Sequence, residues 1–307
     1  MKKMEFPNRV TIELTNRCNV SCTFCHRQVV NMELGDMSFE LYKKIIDEMA
    51  EHIPIKMVPF FRGESIMHPQ FVEFIMYAKQ KGIGPIQLFS NGLIFKKSIA
   101  EAVIRAGVDF VSFSLDTVDK DIYKNSRIKG DLETSMENVR QFGLLCKEYR
   151  EKGIAVPEVQ VSTVDLDIYR PKQQEFVDYW KKYVDIIRIY EEHDENGRFA
   201  KKEVSEKLSY ISERRPCHKL YSDMIIYWDG KIALCNYDWD EKNELGDANT
   251  QSLAEIWNSK AYENIRRMHE TDTISADYLC NKCEHWKAGY LEEQYLGKRI
   301  LGDMSGE

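Results

Sequence analysis

Six segments in the first two thirds of the chain alternate apolar and polar residues, and stretches with apolar residues at helical spacing separate them. Alternation with a period of two predicts strands, and recurrence every three or four residues predicts helices. The pattern therefore predicts βα units around a parallel sheet. The predicted strands are Val10–Thr15, Lys56–Phe61, Ile86–Asn91, Val108–Asp116, Pro157–Val164 and Asp185–Tyr190.

One face of these predicted strands is polar. The first strand places Thr11, Glu13 and Thr15 on that face, and the fourth ends there with Ser114 and Asp116. A parallel sheet covered by helices on both faces would be apolar on both, so the pattern predicts an open barrel with a polar lumen. The alternative that some of these positions lie at sheet edges stays open.

The pattern changes near residue 205, which predicts a boundary between a barrel domain over 1–205 and a small domain over 206–290. Within the second domain, Met224–Trp228 and Lys231–Cys235 are joined by Asp229-Gly230, which predicts a hairpin with a two-residue turn. Residues 291–307 are predicted to be a C-terminal tail.

Composition limits the class of protein. The 307 residues carry a formal net charge of −7 and a pI near 5.7, which argues against a nucleic-acid partner, because phosphate binding depends on clustered Lys and Arg. No apolar run is long enough for a membrane helix, and the N-terminus has no signal-peptide pattern. We therefore expect a cytoplasmic protein with a small-molecule partner. In a reducing compartment, its eight cysteines indicate metal ligation or catalysis.

Three cysteines follow the first predicted strand within eight residues: Cys18, Cys22 and Cys25. Three thiolates can hold three corners of a [4Fe–4S] cube, which leaves the fourth iron open to a ligand. The alternative is zinc with His26 as the fourth ligand, although consecutive ligands are sterically awkward.

Four more cysteines lie in the second domain: Cys217, Cys235, Cys280 and Cys283. They can ligate a complete [4Fe–4S] cluster or a structural zinc ion, and the residues alone do not separate the two. Cys146 falls on the apolar stripe of a predicted helix and is expected in the core.

The segment Cys18-Asn19-Val20-Ser21-Cys22-Thr23-Phe24-Cys25 resembles the CxxxCxΦC hallmark of the radical S-adenosylmethionine (SAM) superfamily, with Phe24 as its aromatic residue. The resemblance implies an α/β fold, a partial (β/α)6 TIM-like barrel with a SAM-binding [4Fe–4S] cluster in the loop after the first strand. It also implies that the three cysteines are catalytic. In this family, SAM bound at the open iron is cleaved reductively to a 5′-deoxyadenosyl radical that abstracts a substrate hydrogen. A flavodoxin- or ferredoxin-type electron donor is implied as a partner.

Further segments resemble the family's cofactor pocket. Arg62-Gly63-Glu64 is similar to its GGE segment, with Arg62 in place of the first glycine, and Ser90-Asn91 is similar to the start of its S/T-N-G segment. Gly63 and Glu64 would bind the amino group of the cofactor. The remaining cofactor contacts that the resemblance implies, for which purely structural hydrogen bonding is the alternative, are Phe24, Ser90, Asn91, Ser114, Asp116, Gln160 and Ser162.

The C-terminal region resembles the SPASM/twitch extensions of radical SAM enzymes, both in its four cysteines and in the segment 252–258, SLAEIWN. This implies an auxiliary [4Fe–4S] cluster that accepts an electron. We therefore predict dehydrogenation of a small polar substrate such as a sugar or aminocyclitol. The start of the first strand near residue 10 favours a small substrate over a peptide with a leader.

The predicted substrate contacts are Arg188, Tyr190 and Glu191, although this charged run is also typical of a solvated loop. Peptide or protein modification and radical epimerisation remain alternatives. A zinc-stabilised binding module without catalysis is a third.

Overall fold

The computed structural model of the chain describes residues 3–190, 210–243, 245–290 and 297–303. The strands are β1 (Arg9–Ile12), β2 (Ser21–Cys22), β3 (Lys56–Val58), β4 (Gln87–Ser90), β5 (Phe110–Ser114), β6 (Arg127–Ile128), β7 (Glu158–Val164), β8 (Ile186–Tyr190), β9 (Asp223–Ile226), β10 (Ile232–Ala233) and β11 (Gly297–Leu301). The α-helices are α1 (Phe39–Ala50), α2 (Phe71–Gln80), α3 (Lys97–Ala106), α4 (Lys120–Ser126), α5 (Leu132–Glu151), α6 (Gln173–Trp180), α7 (Lys219–Ser222), α8 (Leu253–Trp257) and α9 (Lys260–Glu270).

Six parallel strands form the wall of an open barrel. β1 pairs with β3, and β4, β5, β7 and β8 pair in that order. A parallel bridge between Met57 and Ile86 joins the two groups. Each of the six lies within or next to a predicted strand, so the prediction of a parallel α/β barrel is confirmed.

The barrel helices pack their apolar faces on the outside of this wall. Tyr42 of α1 stacks on Phe74 of α2 with ring centroids 4.3 Å apart, and Phe95, Phe113 and Phe142 meet edge to face. Such aromatic contacts combine a large buried apolar area with favourable ring geometry. They fix the outer layer of the barrel and leave the opposite strand faces free for the lumen.

The C-terminal hairpin extends the barrel sheet. β9 and β10 are antiparallel, as the Asp229-Gly230 turn predicts, and β9 also runs parallel to β1, with Arg9 opposite Asp223 and Ile12 opposite Ile226. The first sheet therefore has the order β10-β9-β1-β3. A strand of the second predicted domain thus completes the hydrogen bonding of the first barrel strand.

The other end of the sheet is extended by a strand that the sequence did not predict. Residues 297–301, within the predicted tail, form β11 and pair antiparallel with β8. The second sheet has the order β11-β8-β7-β5-β4. Among the described residues, no helix has the length and apolar character needed to cross a membrane.

Candidate active site

A cavity of about 440 Å³ lies in the lumen and is lined by residues of both the barrel and the C-terminal region. Its volume is within the usual range of small-molecule sites. Cys18, Cys22 and Cys25 all line it, together with Phe24. The structure therefore brings the first cysteine set to the main cavity.

A small two-stranded sheet holds the cysteine loop. Cys22 of β2 pairs with Arg127 of β6, and the Thr23 amide donates a hydrogen bond to the Ser126 carbonyl over 2.9 Å. Burial raises the pKa of the Cys22 thiol, while the Arg127 guanidinium partly offsets this rise. Burial disfavours a thiolate that has no counter-charge, and a bound metal cation supplies that charge. The loop therefore suits cysteines that act as metal ligands.

Arg127 is a cavity residue that the sequence analysis missed. Its guanidinium is buried, forms an ion pair with Asp116 at 2.6 Å, and lies 5.6 Å from the Phe24 ring centroid. Asp116 adopts a φ of +65°, a left-handed conformation that is uncommon outside glycine. Local sequence gives no signal for this pair, because the turn after β5 and the segment after α4 meet only in the fold.

Gly63 and Glu64 line the same cavity as the cysteine loop. A Cβ atom on Gly63 would lie 2.5 Å from the carbonyl oxygens of Thr15 and Arg17, so only glycine lets this loop approach so closely. Burial raises the pKa of Glu64 to about 7, although the Asn91 amide donates a hydrogen bond to its Oε2 at 2.8 Å. Its Oε1 is buried and has no hydrogen-bond partner among the described residues.

The other predicted cofactor contacts divide into two groups. Ser90, Asn91 and Ser114 line the cavity. Gln160 and Ser162 are buried but bond to the neighbouring strand, through Gln160 Nε2 to Ser112 Oγ at 2.8 Å and Ser162 Oγ to the Phe113 carbonyl at 3.4 Å. Neither is among the lining residues of this cavity, and Asp116 lies behind Arg127.

Arg62, which stands where the family pattern has glycine, anchors the loop before Gly63. Its side chain is fully buried, and its Nε and Nη2 donate to the two carboxylate oxygens of Glu13 at 2.8 and 2.7 Å. Its Nη1 donates to the Trp239 carbonyl and to Glu241, and its guanidinium carbon lies 4.3 Å from the Tyr227 ring centroid. The residue therefore ties the end of β1 to the segment after β10.

The second cysteine set encloses a separate, much smaller space. Cys217, Cys235, Cys280 and Cys283 line a cavity of about 20 Å³. Arg214 donates to the carbonyls of Cys280 at 2.8 Å and Cys283 at 3.2 Å, which holds their turn in place. Burial, with the neighbouring cysteines adding to it, raises the pKa of Cys217 to about 11 and that of Cys235 to about 12.

The donor chemistry of both sets fits iron–sulfur clusters, which are held by cysteine thiolates. The described part of the chain contains no group of three or more His, Cys, Asp or Glu side chains arranged around a single ion. In a cubane, each thiolate binds a different iron atom, so the ligands need not converge on one point. Three cysteines on the large cavity fit the SAM-binding cluster, and four around the small cavity fit the auxiliary cluster.

Two residues separate the cavities. Lys219 and Tyr237 line both of them. The Lys219 ammonium donates to Asn236 Oδ1 at 2.6 Å, and Tyr237 Oη lies 3.0 Å from His285 Nδ1. The two cysteine sites are therefore neighbours that share these two lining residues.

The predicted substrate residues lie elsewhere. Arg188 and Tyr190 are on β8, with the Arg188 guanidinium 5.5 Å from the Tyr190 ring centroid, and neither lines the main cavity. Glu191 is outside the described residues. Their role in substrate binding stays a prediction.

Residues 12–143 match the model of the radical SAM superfamily, and residues 217–284 match SPASM, an iron–sulfur cluster-binding domain. The chain therefore contains a domain of the radical SAM superfamily, followed by a SPASM domain. The predicted membership in its SPASM/twitch subgroup is confirmed, and the two domains imply SAM and [4Fe–4S] clusters as cofactors of this radical SAM protein.

Among curated relatives, the chain is 24% identical over 317 residues to the tungsten-containing aldehyde ferredoxin oxidoreductase cofactor-modifying protein of Pyrococcus furiosus, covering 89% of this chain and 85% of that protein. Among solved structures, it matches SuiB of Streptococcus suis bound to precursor peptide SuiA, at a TM-score of 0.69 and 15% identity over 96% of this chain and 76% of that one. It also matches BtrN in complex with AdoMet and 2-DOIA, at a TM-score of 0.57 and 14% identity, over 88% and 89%. At these identities the two structures show the fold.

Proposed function

We propose that this radical SAM enzyme dehydrogenates a small polar substrate, such as a sugar or aminocyclitol, with the C-terminal cysteine site as electron acceptor. One observation carries the proposal. The three-cysteine loop lines a ligand-sized cavity, and two further residues of that cavity, Lys219 and Tyr237, also line the four-cysteine site. A substrate in that cavity would lie between the two redox centres.

The cavity offers matched groups for a zwitterionic cofactor. Glu64 provides a carboxylate for its ammonium group, the main chain at Gly63 allows close approach, and the Arg127 guanidinium, which also lines the cavity, suits its carboxylate. Cys18, Cys22 and Cys25 would hold the cluster. When bound, cluster and cofactor supply reductive cleavage and a carbon-centred radical that abstracts hydrogen.

Apolar side chains around this site exclude water. Phe24, Val58, Phe60 and Phe89 line the cavity, and the rings of Phe60 and Phe89 are 5.6 Å apart. An apolar lining of this kind limits the access of water to a reactive species. The protein's part in the chemistry is thus to orient substrate and cofactor and to keep solvent away.

The second site is suited to electron transfer. Four thiolates can ligate all four irons of a cluster and leave no iron open to a substrate. A cluster there would take up the electron that remains when a substrate radical loses a proton. Epimerisation needs a thiol hydrogen donor near the substrate, and Cys146, the one cysteine outside the two sets, is fully buried among the core residues of α5.

The test is anaerobic reconstitution followed by assay of 5′-deoxyadenosine formation from SAM. We expect roughly eight irons per chain, from two cubanes, and 5′-deoxyadenosine formation that is absent in the C18A/C22A/C25A variant. Cys146→Ala is the matched control, because it removes a thiol from the core only. Undiminished 5′-deoxyadenosine formation in the triple variant would refute the proposal, and two zinc ions without sulfide would favour a non-catalytic binding module.

A second candidate function is peptide modification, supported by the match to peptide-bound SuiB over 96% of this chain. The two functions differ in substrate size. Incubation with sugars, cyclitols and peptides, followed by mass spectrometry for a loss of two hydrogens, separates them. A product from peptides alone would replace the first proposal by the second.

A further inference from the structure

One part of the main cavity lies away from the three-cysteine loop. Arg9, Thr11 and Asp223 line it from the first half of β1 and the start of β9, and Lys219 lines it from α7. Arg9 begins β1, whereas the cysteine loop follows its end, so about 10 Å of strand separates Arg9 from that loop. Asp223 is the register partner of Arg9 and lies at the same depth.

The cations at the cysteine end of the cavity already have partners. Arg62 pairs with Glu13 and Arg127 pairs with Asp116. Arg27 donates to main-chain carbonyl oxygens. Arg62 and Arg127 are therefore neutralised by carboxylates, and Arg27 is held at the same end by the main chain.

Arg9 and Lys219 differ from them. Arg9 Nε is buried and has no hydrogen-bond partner among the described residues. Lys219 donates to a neutral acceptor, Asn236 Oδ1, at 2.6 Å. Within the described ranges, neither has a carboxylate at ion-pair distance. A buried guanidinium Nε–H without an acceptor is unfavourable, so its place beside a ligand-sized cavity points to a ligand that supplies one, and an anion suits two cationic side chains.

Asp223 adds an opposite charge beside these cations. Its Oδ1 accepts a hydrogen bond from Ser222 Oγ at 2.6 Å, and its side chain reaches the cavity from the strand next to Arg9. A carboxylate that accepts one hydrogen bond from a hydroxyl can still receive an ammonium group. The deep end therefore repeats the combination of one acidic and one basic recognition site that Glu64 and Arg127 offer at the cysteine end.

We propose that this deep end is the substrate subsite and that it binds a small zwitterion, with the substrate carboxylate on Arg9 and Lys219 and its amino group on Asp223. Thr11 and Asn236 supply neutral hydrogen bonds beside them. The inference rests on the proposed function in placing a small polar substrate in this cavity, and it assigns that substrate to free amino acids and similar amino-carboxylates in place of sugars and aminocyclitols.

The test measures binding without turnover. Reconstituted enzyme with SAM, and without reductant, is titrated with the twenty free amino acids, their C-terminal amides and their N-acetyl derivatives, and dissociation constants are obtained by ligand-observed NMR. We expect at least one free amino acid to bind, and its amide to bind at least about tenfold more weakly, since a buried charge loses its partner.

Variants locate the subsite. R9Q and K219Q should each weaken binding of that amino acid at least about tenfold, and D223N should weaken the free amine form but not the N-acetyl form. Lys97→Gln removes an equal charge from a side chain that is 81% exposed on α3 and should leave the affinity within about twofold. Circular dichroism and iron content establish that each variant is folded and loaded.

Three outcomes would overturn the inference: no free amino acid binds wild-type enzyme, amides bind as well as acids, or R9Q and K219Q bind like wild type. N-acetyl amino acids binding better than free ones would indicate a peptide C-terminus and would also overturn it. Because no turnover is involved, absence of 5′-deoxyadenosine formation would defeat the proposed function while leaving this measurement decisive.

Discussion

The two cysteine sites of this chain differ in the number of thiolates and in the space beside them. Three cysteines line a cavity of about 440 Å³, whereas four line one of about 20 Å³. The site that is one thiolate short is thus the one with room for a further ligand. This relation supports a substrate-activating centre at the first site and a fully ligated centre at the second.

The strongest test of these separate roles is to remove cysteines from the second site alone. In a C280A/C283A variant, we expect product formation to fall to background while SAM cleavage without product continues, because the first site lies in a separate cavity. Anaerobic chromatography of 5′-deoxyadenosine and of substrate product measures both. Loss of both activities in a folded variant that retains the first cluster would contradict the division of roles.

A large effect on stability is expected where the two regions are joined. Arg62→Gln leaves Glu13 buried without its cation and should lower the free energy of unfolding by about 3–5 kcal/mol. Urea denaturation followed by circular dichroism measures the loss. Glu241→Gln is the matched control, because Glu241 is 26% exposed and also pairs with Arg62, so it should cost no more than about 1 kcal/mol. Equal losses in both variants would show that burial of the Glu13 contact is not the determining factor.

A smaller effect is expected on cofactor affinity. Glu64→Gln keeps the shape of the side chain but removes the charge that would face the ammonium group of SAM, and should weaken SAM binding about tenfold or more. Equilibrium dialysis on reconstituted protein measures it. A Glu133→Gln variant, altered at a side chain 75% exposed on α5, should match wild type. Unchanged affinity in the Glu64 variant would remove this residue from the cofactor site.

The smallest expected effect is a pH dependence of the cofactor-free protein. Glu64 ordinarily titrates near 4.5 and has a pKa of about 7 in the fold, so between these values the folded state keeps a proton that the unfolded state has released. Stability therefore falls as pH rises through this window. The Glu64→Gln variant should lack about 1–3 kcal/mol of that fall in urea titrations at pH 4.5 and 8. If the stability of the variant falls with pH as much as that of wild type, Glu64 is not the group responsible.

Sequence patterns predicted those parts of the molecule that are encoded locally. Period-two alternation located the six barrel strands, and the spacing of Cys18, Cys22 and Cys25 identified the loop that lines the main cavity. Ser38 illustrates the same point on a smaller scale. It stands directly before an apolar helical pattern, a position typical of an N-cap, and its Oγ accepts a hydrogen bond from the Leu41 amide at 3.1 Å.

Features that depend on pairing between distant segments could not be predicted in this way. Alternation placed Gln160 on the lumen side but could not show that its amide would bond to Ser112 on the adjacent strand. No sequence pattern marks Arg127 or Arg9 as a site residue. Their roles depend on whether the fold places a carboxylate beside them. The same applies to β11, whose partner β8 is more than a hundred residues away.

The pairing of β9 with β1 has a consequence for how the protein can be divided. A fragment ending near residue 205 would retain the cysteine loop yet leave the amides and carbonyls of β1 unpaired along one side. Exposed strand edges of this kind invite self-association. The two domains of this polypeptide are therefore best regarded as one cooperative folding unit, to be expressed and engineered together.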